Sequence, residues 1–172
     1  MSRVGIVAEG GGTKAAYSAG VLKCLLEHDI VLPYCTVAVI GGGMVGCETA
    51  EYLASRGCKV SVIEMMDKIA AQESDTVLPL MEADFEKYNV QKFVNTRVSE
   101  IKDNVIYAVN TKEETNIEIA ADTIVNALGS KKNVFDDSQL TVPFTYVGDC
   151  SGERTADIAS AIRTGYKAAN EI

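Results

Sequence analysis

The chain reads as an α/β protein: a Rossmann-like, mostly parallel sheet with flanking helices in three layers, plus a small antiparallel β-meander. Three observations predict it. Twice within the first 63 residues an apolar, β-branched run leads into glycines and then into a helical pattern, as parallel strands joined by crossover helices require. Between Lys92 and Ala120 the apolar period falls to two, with turn residues between the runs, the pattern of antiparallel hairpins. The 172 residues are 47% hydrophobic and 23% charged, enough for one good core or two small lobes sharing one.

The elements follow in order. Val4 to Ala8 is the first expected strand, ending at Gly10-Gly11-Gly12. A helix from about Thr13 to His28 carries Val21, Leu22, Leu25 and Leu26 at helical spacing. Pro33 restricts its predecessor and makes Ile30 to Pro33 a connector. Val37 to Ile40 is the second strand, Met44 to Arg56 the second helix with Gly57 as its stop, and Lys59 to Ile63 the third strand. Asp75 to Tyr88 is helical, with Asp75 as N-cap and Leu78, Met81 and Phe85 along one side. The meander takes Phe93-Val94, Val98, Ile101, then Val105 to Tyr107, then Ile117 and Ile119, with turns at Lys102 to Asn104 and Lys112 to Glu114. Asp122 to Leu128 is a buried strand reaching Gly129, and the polar stretch Ser130 to Val142 is loop. Phe144 to Val147 is a last strand closed by Gly148-Asp149. A helix from about Thr155 to Ile172 then presents Ile158, Ile162, Tyr166 and Ala169 on one face.

Charge narrows the function classes. A net charge of −8 and a pI near 4.7 exclude nucleic acid and anionic membrane as expected partners, since either would want a basic face. No apolar run approaches the roughly 20 residues of a membrane span. The opening MSRVGIVAEGGG reads as a strand reaching glycines, not as a signal peptide, so a cytoplasmic location is expected. Five cysteines (Cys24, Cys35, Cys47, Cys58 and Cys150) form no CxxC and no metal or cluster spacing. They are expected as reduced, buried thiols. Cys47 stands in the first turn of a glycine-loop helix, where a thiolate would be stabilised, although apolar packing is the simpler role. His28, the single histidine, is expected solvated near a helix C-terminus.

The chemistry concentrates in TVAVIGGGMVGCETAEYLASRGCKVSVIE, residues 36–64. Here Gly41-x-Gly43-x-x-Gly46 follows a strand and opens a helix, and Glu64 ends the next strand 18 residues beyond Gly46. In a dinucleotide site the first glycine makes the tight turn and the second lets the backbone approach the pyrophosphate. The third lets the helix lie close to the sheet, and the acid hydrogen-bonds the adenosine ribose. Met44 and Val45 open the helix whose N–H groups and dipole face the phosphates. Met65, Met66 and Asp67 follow Glu64, with no arginine for a 2′-phosphate; NAD(H) is favoured over NADP.

Residues 36–172 resemble the C-terminal part of flavin- and NAD(P)H-dependent oxidoreductases of the 2,4-dienoyl-CoA reductase / enoate reductase type, relatives of the pyridine nucleotide-disulfide oxidoreductases. VAVIGGGMVGCETAEYLASRGCKVSVIEMMDKIA is similar to their NAD(P)H-binding insertion and ADTIVNALGSKKN to the segment closing it. TYVGDCSGERTADIASAIRTGYKAANEI resembles their second flavin motif. The resemblance implies hydride transfer from NAD(P)H to flavin, Gly129 bordering the nucleotide site, and Gly148 with Asp149 against the ribityl chain of FAD. In that family an FAD-binding βαβ unit precedes the NAD(P)H domain, behind a barrel with FMN and an iron–sulfur cluster. This chain has no room for the barrel and lacks the cluster cysteines.

Residues 1–35 resemble instead the opening of a patatin-like phospholipase, on Gly10-Gly11-Gly12-x-Lys14 and the helix pattern AGVLKCLLE. Ala15 replaces that family's glycine, no GxSxG elbow follows, and Ser18 lies inside the helical pattern. An oxyanion loop without its nucleophile does not hydrolyse esters. The expected organisation is therefore a chimera: residues 1–35 packing with 135–172 as the remnant of an FAD-type lobe, and residues 36–134 as the NAD(P)H-binding domain. The 1–35 segment brings no second ribose-binding acid, which argues against FAD. Three function classes follow: a nicotinamide-dinucleotide-binding unit of a flavin oxidoreductase, a non-catalytic scaffold keeping the fold, and, least supported, an acyl hydrolase. A homo-oligomer, or a partner chain supplying the missing FAD half, fits the first.

Overall fold

The computed structural model describes residues 5–7, 20, 23–24, 27–28, 34–71, 76, 78–129, 136–138, 140–151 and 158–171. The glycines at 10–12, Ser18 and the Asp75 cap lie outside them. The chain forms two compact units, Met1–Gly129 and Ser130–Ile172.

In the first unit, strands β1 (Gly5–Val7), β2 (Thr36–Ile40), β3 (Lys59–Ile63), β4 (Gln91–Phe93) and β8 (Thr123–Asn126) form one parallel sheet in the order β1-β8-β2-β3-β4. Both faces of this sheet are covered, so its central strands are apolar almost throughout. Alternation then sorts the side chains. Val37, Val39, Val60, Val62 and Val125 point to one face, where helix α1 (Met44–Ser55) packs Cys47, Ala50, Leu53 and Ala54. Helix α2 (Leu78–Lys87) adds Met81 and Phe85 to the same core. Ala38, Ile40 and Ile63 point to the other face and meet Ile106, Ile119 and Ala121.

Ile106 and Ile119 come from the meander, strands β5 (Thr96–Lys102), β6 (Val105–Asn110) and β7 (Thr115–Ala120), paired antiparallel, and Ala121 directly follows it. The β5–β6 turn is two residues, Asp103 and Asn104, both at positive φ (48° and 67°), the conformation that matches strand twist in a tight hairpin. At the β6–β7 turn the Asn110 side-chain carbonyl accepts from the Lys112 and Glu113 N–H groups at 3.0 Å each. The architecture is thus helix layer, parallel sheet, antiparallel sheet; the α/β class with a parallel sheet and a separate meander is as the sequence predicts, and the meander itself supplies the third layer.

Helix α1 ends as expected at Gly57. With φ at 96° it lets its own N–H reach the Ala54 carbonyl while Cys58 N–H reaches Leu53, satisfying two carbonyls the helix would otherwise leave orphaned. At the leading end of the sheet the Asp122 carboxylate accepts from both the N–H and the hydroxyl of Thr36, at 2.8 and 2.7 Å. Those donors hold the Asp122 carboxyl below the usual range.

Two expectations need correction. Residues at the head of the expected meander, Lys92 and Phe93, belong to β4, which pairs parallel with β3 through Ser61↔Gln91 and Ile63↔Phe93. A two-residue period marks a strand but not its neighbour; the chain leaves the sheet only at Asn95, at φ 50°. Phe144 to Val147 is not a strand. Its rings are partly exposed, Phe144 and Tyr146 stack edge-on with centroids 5.3 Å apart, and the Tyr146 hydroxyl donates to Asp137 at 2.6 Å. Helix α3 (Ile158–Asn170) forms where expected, with Ile158, Ile162 and Tyr166 exposed. Among the described residues no helix is long and apolar enough to cross a membrane.

Candidate functional site

Parallel strands deliver their C-terminal ends to one edge of the sheet, and loops there carry the site. β2 ends at Gly41, β3 at Glu64 and β8 near Ala127. The three are knit together: Gly41 N–H donates to the Ile63 carbonyl at 2.9 Å and Ala127 N–H to the Ile40 carbonyl at 2.8 Å.

The glycines of the loop differ in what demands them. Gly41 has φ 103°, and a Cβ there would stand 2.5 Å from the Ala127 carbonyl oxygen; fold geometry alone requires glycine. A Cβ on Gly46 would stand 1.9 Å from the Gly41 carbonyl oxygen, so helix α1 can lie on the loop only because that hydrogen is small. Gly43 is another case. It is the N-cap of α1 at φ −68° and ψ 176°, ordinary extended backbone. A Cβ there would meet nothing within 4 Å. No part of the described protein needs a glycine at position 43.

Glu64 is brought to the same loop. One carboxylate oxygen accepts from Gly42 N–H at 2.6 Å and the other from Met66 N–H at 2.8 Å. Each oxygen keeps a second lone pair, so the group can still accept two hydroxyls. Gly42, which lies outside the Gly41-x-Gly43-x-x-Gly46 spacing, is a third structural glycine: a Cβ there would sit 2.8 Å from the Glu64 Cβ. Its signal in the sequence is the unbroken Gly41-Gly42-Gly43. The loop is clamped further by Ala70 N–H and by the Cys47 thiol, at 2.6 and 3.4 Å from the Gly42 carbonyl.

That thiol settles the role of Cys47. It is fully buried, and burial pushes its pKa up to about 12. It packs and donates as a neutral thiol, and a thiolate at this helix start does not form at neutral pH. In native protein at pH 8 Cys47 should resist aromatic disulfide reagents and react only as fast as the chain opens, which labelling with peptide mapping would measure.

Met44 and Val45 lie half-buried at the start of α1, and no side chain caps that end. Gly129, at φ 89°, follows Ala127 and Leu128, the residues against which Gly41 is seated. Gly41, Gly43, Met44, Val45, Gly46, Glu64 and Gly129 thus stand on one edge of one sheet. Gly148 and Asp149 belong to the other unit, in a single helical turn Gly148–Cys150. Gly148, at φ 63°, donates its N–H to the Thr164 hydroxyl at 2.9 Å. Among the described residues no group of three or more His, Cys, Asp or Glu could hold a metal ion.

A glycine loop at the C-terminal edge of a parallel sheet backed by an antiparallel meander matches the Rossmann-like fold of pyridine-nucleotide oxidoreductases. The model of the pyridine nucleotide-disulphide oxidoreductase family matches residues 13–156, and the chain belongs to that family. It is 47% identical over 151 residues to the bilirubin reductase of Mediterraneibacter gnavus, covering 86% of this chain and 23% of that protein. It is 33% identical over 142 residues to the NADH oxidase of Thermoanaerobacter brockii, covering 79% of this chain and 21% of that protein. Among solved structures, a 2-naphthoyl-CoA reductase complex superposes with a TM-score of 0.61 at 28% identity, over 84% of this chain and 22% of that one. The chain spans about a quarter of the length of these relatives. The family match reaches back to residue 13, inside the segment compared with patatin-like phospholipases, and so does not stop at the expected junction after residue 35.

Proposed function

We propose that this chain is the nicotinamide-dinucleotide-binding unit of an NAD(P)H-dependent flavin oxidoreductase and takes NAD(H) in preference to NADP(H). The observation that carries this reading is Gly43. Every other glycine of the loop is demanded by a protein atom, whereas Gly43 faces open space at the uncapped start of α1. A pyrophosphate needs that vacant position and those N–H donors. Glu64, already fixed by two backbone donors, offers its remaining lone pairs to the ribose hydroxyls. Residues 36–134 are read as this unit, with Gly129 at its border. The bound nicotinamide supplies hydride; the protein's part is to bind and orient it.

Family membership supports NAD(P)H together with FAD. Asp149 is the residue proposed to meet the flavin's ribityl chain. The absence of a second ribose-binding acid in residues 1–35 leaves FAD to be decided by colour.

The test is a visible spectrum of the purified chain followed by NADH and NADPH titrations. Expected is NADH binding at least tenfold tighter than NADPH, because Glu64 and Asp67 repel a 2′-phosphate. A yellow protein bleached by NADH identifies a flavin-loaded enzyme, and a colourless one that binds NADH a bare binding unit. If neither nucleotide binds, the reading fails and a non-catalytic scaffold remains.

A further inference from the structure

We propose that Cys35 and Cys58 are a redox-active pair that closes to a reversible disulfide across the leading ends of β2 and β3. Each cysteine immediately precedes its strand, and the strands pair Thr36 with Lys59. Lys59 N–H donates to the Cys35 carbonyl at 3.0 Å, which sets the two cysteines side by side. Their sulfurs lie 3.7 Å apart, the Cys35 thiol donating to Cys58. Neighbouring strands run about 4.8 Å apart, inside the range of Cα separations of roughly 4.4–6.8 Å that a disulfide bridges. Closure requires the sulfurs to approach by about 1.7 Å, which rotation of the two side chains can supply.

The pair is separate from the nucleotide loop. It sits at the opposite ends of the two strands that finish at Gly41 and Glu64, and it does not depend on the nucleotide reading. Because the cysteines are 23 residues apart in sequence, no short motif announces them. Cys35 is half-buried and Cys58 buried, so an oxidant reaches Cys35 first.

The oxidant is a low-molecular-weight disulfide. Cys35 gives its proton to solvent, its thiolate attacks one sulfur of the oxidant, the oxidant's S–S bond breaks and one small thiol leaves. Cys58 then loses its proton and attacks the Cys35 sulfur, expelling the second small thiol. The protein is oxidised by two electrons and the oxidant reduced by two. Burial raises both thiols above their ordinary values, Cys58 to about 12, so the exchange belongs at mildly alkaline pH, where more thiolate is present.

The probe is oxidised glutathione at pH 8.5 with a Cys24→Ser/Cys150→Ser protein, which removes the two exposed thiols. The wild-type chain, peptide-mapped in parallel, gives the same reading if the variant folds poorly. Expected is the loss of two hydrogens, one cross-linked peptide pair joining Cys35 to Cys58, and full reversal by dithiothreitol. A further Cys58→Ser change should stop the reaction at a glutathione adduct on Cys35. Oxidation should raise the unfolding midpoint by roughly 5 °C, through the closed loop of the unfolded chain. An unchanged mass, an adduct that persists on Cys35 with Cys58 present, a bridge to Cys47, or a lowered midpoint would each overturn the proposal.

Discussion

Replacing Gly46 by alanine should cost about 3 kcal/mol of folding stability, where helix propensity alone forecasts a gain of about 1 kcal/mol. The position is in the first turn of α1, and in an isolated helix alanine would be better than glycine. Packing reverses the sign. The added methyl would stand 1.9 Å from the Gly41 carbonyl oxygen, 3.1 Å from its carbon and 3.4 Å from the Ala127 side chain. Two of those atoms are backbone, so no rotamer change relieves the clash. The start of α1 has to lift from the loop, and the helix carries Leu53 and Ala50 of the main core with it. Urea unfolding would show a lower midpoint with the slope unchanged, and nucleotide affinity should fall in parallel, because loop and helix start move together. A variant as stable as the parent would mean that the helix does not rest on the loop as described.

The strands β2, β3 and β8 and the helix α1 were legible because each is an apolar run of the right period with a glycine at its boundary. The glycine spacing and Glu64 were legible as a motif. What it left unresolved was which glycines the fold demands and which a ligand demands, because that depends on atoms from Ala127, more than eighty residues away in sequence. Gly42 was missed for the same reason: its necessity comes from the Glu64 side chain. The pairing of β4 and the fate of Phe144 to Val147 are not legible in the sequence, because a β-branched or aromatic run reports a preference for extended backbone and names no partner. The 35–58 cysteine contact arises only from strand register. Fold class was thus written locally, and the site's finer logic lies in contacts between distant residues.

Changing Gly43 to aspartate should separate binding from folding. Aspartate is a preferred N-cap and Gly43 already has the extended backbone of one, so the carboxylate can accept from the uncapped N–H groups and meet the helix dipole favourably. Its Cβ meets nothing within 4 Å. Stability should therefore hold or rise by a few tenths of a kcal/mol. The same carboxylate would occupy the place proposed for the pyrophosphate. Two unit charges about 5 Å apart at an effective dielectric of about 20 repel by about 3 kcal/mol, or roughly a hundredfold in affinity. Glu64→Ala is a weaker test, since that carboxylate also holds the Gly42 and Met66 N–H groups, and its loss loosens the loop whether or not a ribose binds there. Calorimetric NADH titration beside thermal unfolding would read both quantities in one protein. NADH binding that survives Gly43→Asp would move the pyrophosphate away from this loop, and with it the whole assignment of the site.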